Sequence, residues 1–228
     1  MQKEGTSAGR ITSGIESNTL VMKTIAFIYT QLPAWRDDPD RQPEISEPKL
    51  NPQLCKFLNF HANSQFPMVS FFHEEPQAPN RSVDISVLPR VEPHSKYDPL
   101  LVIECKRLPA PDMKREKEYV SGLDPHKISG GIQRFKLGLH SGNISPAVMV
   151  GYIQEKDASF WLEQINSWIC EFAKQPIGDR CVWADDEILQ FLEACPCRGI
   201  STYVSNHRRI SSSILEICHL WVNMARKD

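Results

Sequence analysis

Hydrophobic and polar positions in the first half of the chain change from helical spacing to strand spacing. Apolar residues recur at helical intervals over 15–35 and again over 46–60, which predicts two amphipathic helices separated by a loop rich in Pro and Asp. Three runs with the character of strands follow, at about 66–75, 81–88 and 100–108. The second helix takes its apolar face from Leu50, Leu54, Phe57 and Leu58. Two helices followed by three strands are therefore expected.

The second half of the chain is predicted to continue this alternation. Residues 146–154 have the pattern of a buried strand, 159–173 that of a helix and 185–194 that of a shorter helix. Two further strands are predicted at 200–205 and 214–222, joined by a polar connection. The inward positions expected for the longer helix are Phe160, Leu162, Ile165, Trp168, Ile169 and Phe172. The whole pattern predicts an α/β fold with a central mixed β-sheet flanked by helices.

Two carboxylates and a lysine lie on two of these predicted strands. Side chains in a strand alternate between its faces, so Glu104 and Lys106 are expected on one face and Cys105 on the other. Asp84 lies in the preceding strand and needs only a neighbouring position in the sheet to join them. Two acidic groups beside an ammonium can serve a divalent cation and an attacking water in phosphodiester hydrolysis.

The Glu-x-Lys spacing alone carries little information, because the chain contains it twice. The other copy, Glu47-Pro48-Lys49, follows Ser46 at a predicted helix start, and a proline there cannot donate to a sheet ladder. The copy at Glu104 instead closes an apolar strand. A charged strand end that emerges into solvent would have the same local sequence.

The order of predicted elements resembles that of the PD-(D/E)XK nuclease superfamily, which includes many restriction enzymes, junction resolvases and DNA-repair exonucleases. The resemblance covers roughly residues 44–155. It implies a restriction endonuclease-like core within a single domain. A helical segment at 1–43 would precede this core, and helices and two strands at 156–228 would follow it.

The resemblance also implies roles for individual residues. Asp84 and Glu104 would hold Mg²⁺ or Mn²⁺, and Lys106 would orient the attacking water and stabilise charge on the scissile phosphate. Glu47 matches an acid that many members carry on the first core helix and is a third candidate ligand. Gln133 matches a polar position near the site in several branches. These five residues are the catalytic candidates.

Several of these assignments have alternatives in the sequence itself. Glu47 is also a favourable first-turn acid for a helix capped by Ser46, and Gln133 is also a plausible solvated helix residue. Glu74 and Glu75 end a predicted strand and could approach the metal in place of Glu47. Val83 stands where the motif of the superfamily has proline, a change that its members commonly tolerate.

The charge is nearly balanced overall but uneven along the chain. A formal net charge of −2 argues against a protein that coats nucleic acid without discrimination. Residues 106–139 nevertheless carry eight Lys and Arg against four Asp and Glu, in a stretch predicted to be largely helical. The candidate nucleic-acid contacts there are Arg107, Lys114, Arg115, Lys127, Arg134 and Lys136. A salt-bridged helix face, such as a Lys114 to Glu118 pair would form, is the competing interpretation.

Other features limit the remaining function classes. The start of the chain lacks the apolar core of a signal peptide and no long apolar run exists, so we expect a cytoplasmic protein without a membrane partner. Seven cysteines, mostly in apolar runs, suit reduced thiols. A zinc site built from Cys181, Cys195, Cys197 and His207 is poorly supported by its spacing. The turn containing His207, Arg208 and Arg209 offers a further contact for phosphate.

The sequence leaves two function classes open. The first is a Mg²⁺-dependent endo- or exonuclease acting on DNA rather than RNA, in a restriction or anti-phage defence system by analogy of fold. The second is a catalytically inactive module of the same fold within a larger nucleic-acid-processing or defence complex. The chain has no phosphate-binding loop of the Gly-x4-Gly-Lys type, so any ATPase or sensor would be a separate subunit. The sequence also leaves open whether the protein forms a homo-oligomer.

Overall fold

Seven β-strands within the described residues form one mixed sheet. They are β1 (Val69–Ala78), β2 (Arg81–Pro89), β3 (Leu101–Leu108), β4 (Ala147–Ile153), β5 (Gln190–Cys195), β6 (Ile200–Arg208) and β7 (Ile214–Asn223). Their order across the sheet is β1-β2-β3-β4-β7-β6-β5. The structure is a computed structural model, and it describes residues 20–78, 81–91, 97–126, 128–140, 145–211 and 213–225.

Within the described part of the chain, four α-helices flank this sheet. They are α1 (Leu20–Asp37), α2 (Glu47–Gln65), α3 (Gly131–Lys136) and α4 (Ala158–Lys174), and single 3-10 turns lie at Met113–Arg115 and Asp185–Glu187. The predicted α/β class with a mixed sheet is confirmed. So are the two N-terminal helices, although the first five residues of the predicted first helix lie outside the described part of the chain.

The middle of the sheet is parallel and its two sides are antiparallel. β4 pairs in parallel with β3 on one side and with β7 on the other. Every residue of β4 is buried, as expected for a parallel strand that is covered on both faces. The remaining pairs, β1 with β2, β2 with β3, β6 with β7 and β5 with β6, are antiparallel.

Two apolar clusters cover the two faces of the sheet. One joins α1 and α2 to residues such as Ile103 and Cys105 of β3. The other joins α3 and α4 to residues such as Val102 and Leu108 of the same strand. Since side chains of a strand alternate, Glu104 shares the face of Val102 and Leu108, opposite Cys105. The predicted alternation along β3 is therefore confirmed.

Two predictions about secondary structure are wrong, and one residue of a predicted helix face is misplaced. The helix predicted at 185–194 is a 3-10 turn followed by β5, because pairing with β6 overrides a weak helical spacing of apolar residues. The basic stretch after β3 contains only the short helix α3 and one 3-10 turn. On α4, Ile165, Trp168, Ile169 and Phe172 are buried as predicted and Leu162 packs partly buried against them, but Phe160 is 40% exposed and Trp161 is buried instead.

The cysteines agree with the expectation of reduced thiols. None of the seven forms a disulfide, and Cys55, Cys105 and Cys181 are buried. None of the helices in the described residues is long and apolar enough to cross a membrane.

A buried acid joins α3 to β6 under the second cluster. Glu187 is 2% exposed, accepts hydrogen bonds from Lys136 Nζ and from the backbone N–H of Arg208, and lies 3.6 Å from His207 Nδ1. Burial alone would raise the pKa of Glu187, but the bonds from His207, Lys136 and Arg208 lower it to about 2. The carboxylate therefore stabilises the fold at every pH at which it is ionised in both the folded and the unfolded chain.

We expect Glu187→Gln to lower the free energy of unfolding at pH 7. We also expect the free energy of unfolding of this variant to depend less on pH in the acidic range. The loss should be about 3 kcal/mol, because Lys136 is left buried without its carboxylate. A carboxyl with a depressed pKa stabilises the folded state fully above its ordinary pKa and loses that contribution as pH falls through the folded value. Wild-type stability should therefore fall more steeply than that of the variant between about pH 4.5 and about pH 2. Urea unfolding followed by circular dichroism checks this, and parallel pH curves would contradict it.

Candidate active site

The pairing between β2 and β3 ends within a few residues and opens a gap between the two strands. Only three residue pairs are in register, from Val87 with Leu101 to Ile85 with Ile103. Asp84 and Glu104 are the next residues on their strands, immediately past the last pair. The two predicted carboxylates thus lie where the strands separate.

Two carboxylates take the place of the missing strand pairing. The backbone N–H of Cys105 donates to Asp84 Oδ2 at 2.7 Å, and the backbone N–H of Arg107 donates to Glu47 Oε2 at 3.3 Å. Alternate amides of a strand point to the same edge, so both N–H groups face the gap. Each would be an unpaired donor without its acid. The predicted approach of Glu47 from the start of α2 is therefore seen in the structure.

Lys106 lies between two of the acids. Its Nζ is 2.9 Å from Glu104 Oε1 and 3.2 Å from Glu47 Oε1, and the residue is 4% exposed. Burial alone would lower the pKa of Lys106, but the negative charges of Glu104, Glu47 and Asp84 raise it above its ordinary value. These charges favour the protonated form of Lys106, which donates hydrogen bonds to Glu47 and Glu104.

Glu104 is the most enclosed of the acids, at 1% exposed. Its Oε1 atom accepts from Lys106 and, at 2.8 Å, from the guanidinium of Arg134. Its Oε2 atom is buried with no hydrogen-bond partner among the described residues, and His140 Nδ1 lies 3.5 Å from it. Burial would raise the pKa of Glu104, but Lys106, His140 and Arg134 together lower it. Glu104 is therefore ionised.

Asp84 has the opposite electrostatic balance. It is partly exposed and bonded to one backbone amide. Burial and then the charge of Glu104 raise the pKa of Asp84 to about 8, and Glu47 adds to this effect, while Lys106 and the amide of Cys105 oppose it. Without a further cation, Asp84 is therefore mostly protonated at neutral pH. An additional cation near Asp84 would favour its ionised form.

Gln133 does not reach the acids, which corrects its assignment as a catalytic residue. It is fully buried, and its Oε1 atom accepts from the backbone N–H groups of Gly122 and Gly130 at 3.1 and 3.0 Å. Its amide nitrogen donates to Asp179. Gln133 thus anchors the start of α3. Gly130 is needed there because a Cβ at this position would overlap the backbone of Ser121.

We expect Gln133→Ala to reduce stability without removing the acids or Lys106 from the site. Two buried N–H groups would lose their acceptor, which should lower the free energy of unfolding by about 3 kcal/mol. Chemical denaturation measures this loss. Any catalytic activity measured well below the unfolding temperature should be retained, and a variant of wild-type stability that lost activity would restore a catalytic role for Gln133.

The basic residues predicted to contact nucleic acid divide into three groups. Lys114 and Arg115 are exposed, Arg115 paired with Glu118, and the partly buried Arg107 donates to Gln154. These three remain available near the end of β3.

Arg134 and Lys136 have other partners. Arg134 is bonded to Glu104 and so belongs to the acidic site itself. Lys136 is 1% exposed and paired with Glu187, which corrects its assignment as a nucleic-acid contact. Lys127 lies outside the described residues. The alternative metal acids are less well placed: Glu74 is exposed and lies 3.9 Å from His73, and the side chain of Glu75 is outside the described part.

The sequence pattern indicates neither His140 nor the contact of Arg134 with Glu104. Arg134 sits one position after Gln133 on α3, where a helical turn aims it at β3. The polar residue of α3 near the acids is therefore Arg134, one position later than the predicted Gln133. His140 lies beyond the end of α3 and carries no motif, so only the tertiary fold brings it to Glu104.

Comparisons with known proteins do not assign this site. No family model, no curated protein and no solved structure matches the chain. Within the described ranges, no group of three or more His, Cys, Asp and Glu side chains is arranged to hold a metal ion. The site is therefore interpreted from its own geometry.

Proposed function

We propose that this protein is a Mg²⁺-dependent nuclease that hydrolyses phosphodiester bonds of DNA. The observation that carries the proposal is the position of Asp84 and Glu104 immediately past the last pair of β2 and β3, with Lys106 bonded to Glu104 and Glu47. The order of elements from α2 through β1, β2, β3 and α3 to β4 also resembles that of the PD-(D/E)XK superfamily named above, which supports the proposal.

The chemistry of the acids fits a divalent cation. Mg²⁺ is commonly held by one or two carboxylates and keeps several waters, so a cluster of three protein ligands is not required. Glu104 Oε2 is a buried acceptor without a hydrogen bond among the described residues, and Asp84 is partly exposed beside it along the gap. Asp84 and Glu104 would hold the ion, and Glu47 would assist through water. Mn²⁺ accepts the same oxygen ligands.

Each side chain then has a chemical role. A bound Mg²⁺ would polarise the phosphate and ease deprotonation of the attacking water. Lys106, which stays protonated, donates hydrogen bonds and offsets negative charge that develops on the phosphate. Arg134 holds Glu104 in place through its bond to Oε1. Arg107, Lys114 and Arg115 offer positive charge to the flanking phosphates.

The proposal is tested by incubating the purified protein with supercoiled plasmid, linear duplex, single-stranded DNA and RNA. Each substrate is tested with Mg²⁺, with Mn²⁺ and with EDTA. We expect cleavage of DNA that needs the divalent ion. Cleavage of RNA alone would move the substrate class to RNA, and no cleavage of any substrate with either ion would contradict the nuclease function.

A second candidate is supported by the same contacts. Glu104 already forms ion pairs with Lys106 and Arg134. A carboxylate with a purely structural role would form the same kind of ion pairs. A catalytically inactive module of a larger complex would keep such a network. In that case Asp84→Asn would leave the cellular phenotype of the gene intact, whereas loss of the phenotype would favour catalysis.

A further inference from the structure

Two cysteine side chains meet at the turn between β5 and β6. The Sγ atom of Cys195, the last residue of β5, lies 3.1 Å from the Sγ atom of Cys197. Only Pro196 separates the two cysteines in the sequence. A disulfide bond is about 2.0 Å long, so the two sulfur atoms need to approach each other by only about 1 Å to form one.

The backbone of the turn holds the two sulfur atoms close together. The N–H of Arg198 donates to the carbonyl oxygen of Cys195 at 3.0 Å, and the N–H of Gly199 donates to that of Pro196 at 3.1 Å. The proline fixes its own φ and so restricts the backbone between the two cysteines. Gly199 has a φ of 63°, which favours glycine, and brings the chain back to pair Ile200 with Cys195.

Contacts with α1 fix this turn to the rest of the fold. The guanidinium of Arg198 donates to the carbonyl oxygen of Thr30 at 2.6 Å. In the other direction, the guanidinium of Arg36 donates to the carbonyl oxygens of Arg198 at 2.9 Å and of Asn223 at 3.1 Å. Arg36 is 1% exposed, and a Cβ at Gly199 would overlap it. The turn is therefore bonded on both sides, which keeps the two cysteines in place.

The two thiols are accessible and form a pair rather than a larger cluster. Cys197 is exposed and Cys195 is partly buried. Among the residues that the structure describes, no third His, Cys, Asp or Glu joins them in a group arranged to hold a metal ion. Cys181 and His207, the other members of the zinc set considered above, are buried. A structural zinc site needs four ligands, whereas two adjacent thiols are sufficient for a disulfide.

We propose that Cys195 and Cys197 are a redox site that forms a reversible disulfide by exchange with a low-molecular-weight disulfide. The thiolate of the exposed Cys197 attacks one sulfur of the small disulfide, which forms a mixed disulfide and releases one small thiol. The thiolate of Cys195 then attacks the sulfur of Cys197, which closes the disulfide and releases the second small thiol. Two electrons and two protons pass from the protein to the small disulfide, which is thereby reduced.

The position of this disulfide favours a reversible role over a structural one. The stabilisation that a disulfide provides by restricting the unfolded chain grows with the length of the loop it closes, and here only one residue lies between the cysteines. Exposed disulfides are also the ones that small thiols reduce most readily. The proposal does not depend on catalysis by Asp84, Glu104 and Lys106.

The test uses glutathione disulfide as the oxidant and the full-length protein. Wild type, Cys195→Ser, Cys197→Ser and the control Cys170→Ser are equilibrated with excess glutathione disulfide, and the remaining thiols are blocked with N-ethylmaleimide. Cys170 is a partly buried cysteine of α4. Proteolysis and mass spectrometry then identify the state of each cysteine. Circular dichroism verifies that each variant is folded, and a wild-type sample in urea gives the unfolded reference.

In the folded wild type, we expect the peptide that contains both cysteines to lose two hydrogen atoms and to carry neither glutathione nor N-ethylmaleimide. Dithiothreitol should restore both thiols. Each single variant of the pair should keep glutathione on its remaining cysteine, because no second thiol displaces it, and Cys170→Ser should behave as wild type. The equilibrium constant for disulfide formation should be at least about tenfold higher in the folded than in the urea-unfolded protein, because the turn holds the thiols together.

Three results would overturn the proposal. The first is that both cysteines of the folded wild type are still labelled by N-ethylmaleimide after equilibration. The second is that both keep glutathione without forming a disulfide. The third is an equal equilibrium constant in folded and unfolded protein, which would mean that the fold does not favour the bond. Asp84→Asn should form the same disulfide as wild type, so this result is independent of the nuclease proposal.

Discussion

Replacement of Asp84 by asparagine is expected to abolish divalent-ion-dependent cleavage and, at the same time, to stabilise the folded protein. The carboxamide oxygen can still accept the N–H of Cys105, so the backbone contact is kept. The negative charge that would hold the cation is lost, and cleavage should fall at least about 100-fold. The cost of burying a carboxyl group, and its repulsion by Glu104 and Glu47, are also lost. The free energy of unfolding without metal at pH 7 should rise by about 1 kcal/mol or more.

The opposite signs of these two effects separate a catalytic carboxylate from a structural one. A carboxylate kept only to cap the N–H of Cys105 would leave stability unchanged or lower when it is replaced by asparagine. Asp40→Asn is the matched control, because Asp40 is exposed and far along the chain from β2 and β3. We expect no change in cleavage or stability from it. Urea denaturation and a DNA cleavage assay measure the two effects on the same preparations.

Replacement of Lys106 by methionine is expected to reduce both cleavage and stability. Methionine fills a similar volume but leaves Glu104 and Glu47 without the ammonium between them. Removing one partner of a buried ion pair lowers the free energy of unfolding by about 3–5 kcal/mol. The loss of a preorganised donor should lower the cleavage rate by about 100-fold or more. Lys114→Met, at an exposed position, should leave stability unchanged.

Divalent ions provide a second readout for the Lys106 variant. If Asp84 and Glu104 hold a cation, Mg²⁺ should raise the melting temperature of Lys106→Met more than that of wild type, because the ion then supplies the missing positive charge. Lys106→Arg keeps the charge and should retain more stability than the methionine variant. Full cleavage by a folded Lys106→Met protein would exclude the proposed role of this lysine.

The fold was predictable where one short stretch of sequence determines an element. The alternation of Val83, Ile85 and Val87 specifies β2, and the apolar run before Glu104 specifies β3. The helix predicted at 185–194 was wrong because β5 exists only through its pairing with β6, which no local pattern records. Leu192, with 54% of its surface exposed, illustrates how little burial that strand has.

The site was predictable to the level of its strands but not of its contacts. Asp84, Glu104 and Lys106 were predicted to meet because the order of elements makes their strands neighbours. The sequence points to Gln133 rather than Arg134 because the orientation of α3 depends on hydrogen bonds to residues 118–122. No local pattern in the sequence indicates these bonds. His140 could not be predicted, because its distance from Glu104 follows from a loop after α3.

Direct measurement of ion binding tests the central proposal most closely. Mn²⁺ can be titrated into wild-type protein, Asp84→Asn and Asp40→Asn without nucleic acid, and the free ion followed by electron paramagnetic resonance. We expect the wild type and Asp40→Asn to bind about one ion per chain at the site and Asp84→Asn to lose it. Mg²⁺ should compete with Mn²⁺ for the same site. Equal binding by all three proteins, or no binding by the wild type, would contradict the assignment of Asp84 and Glu104 to a divalent cation.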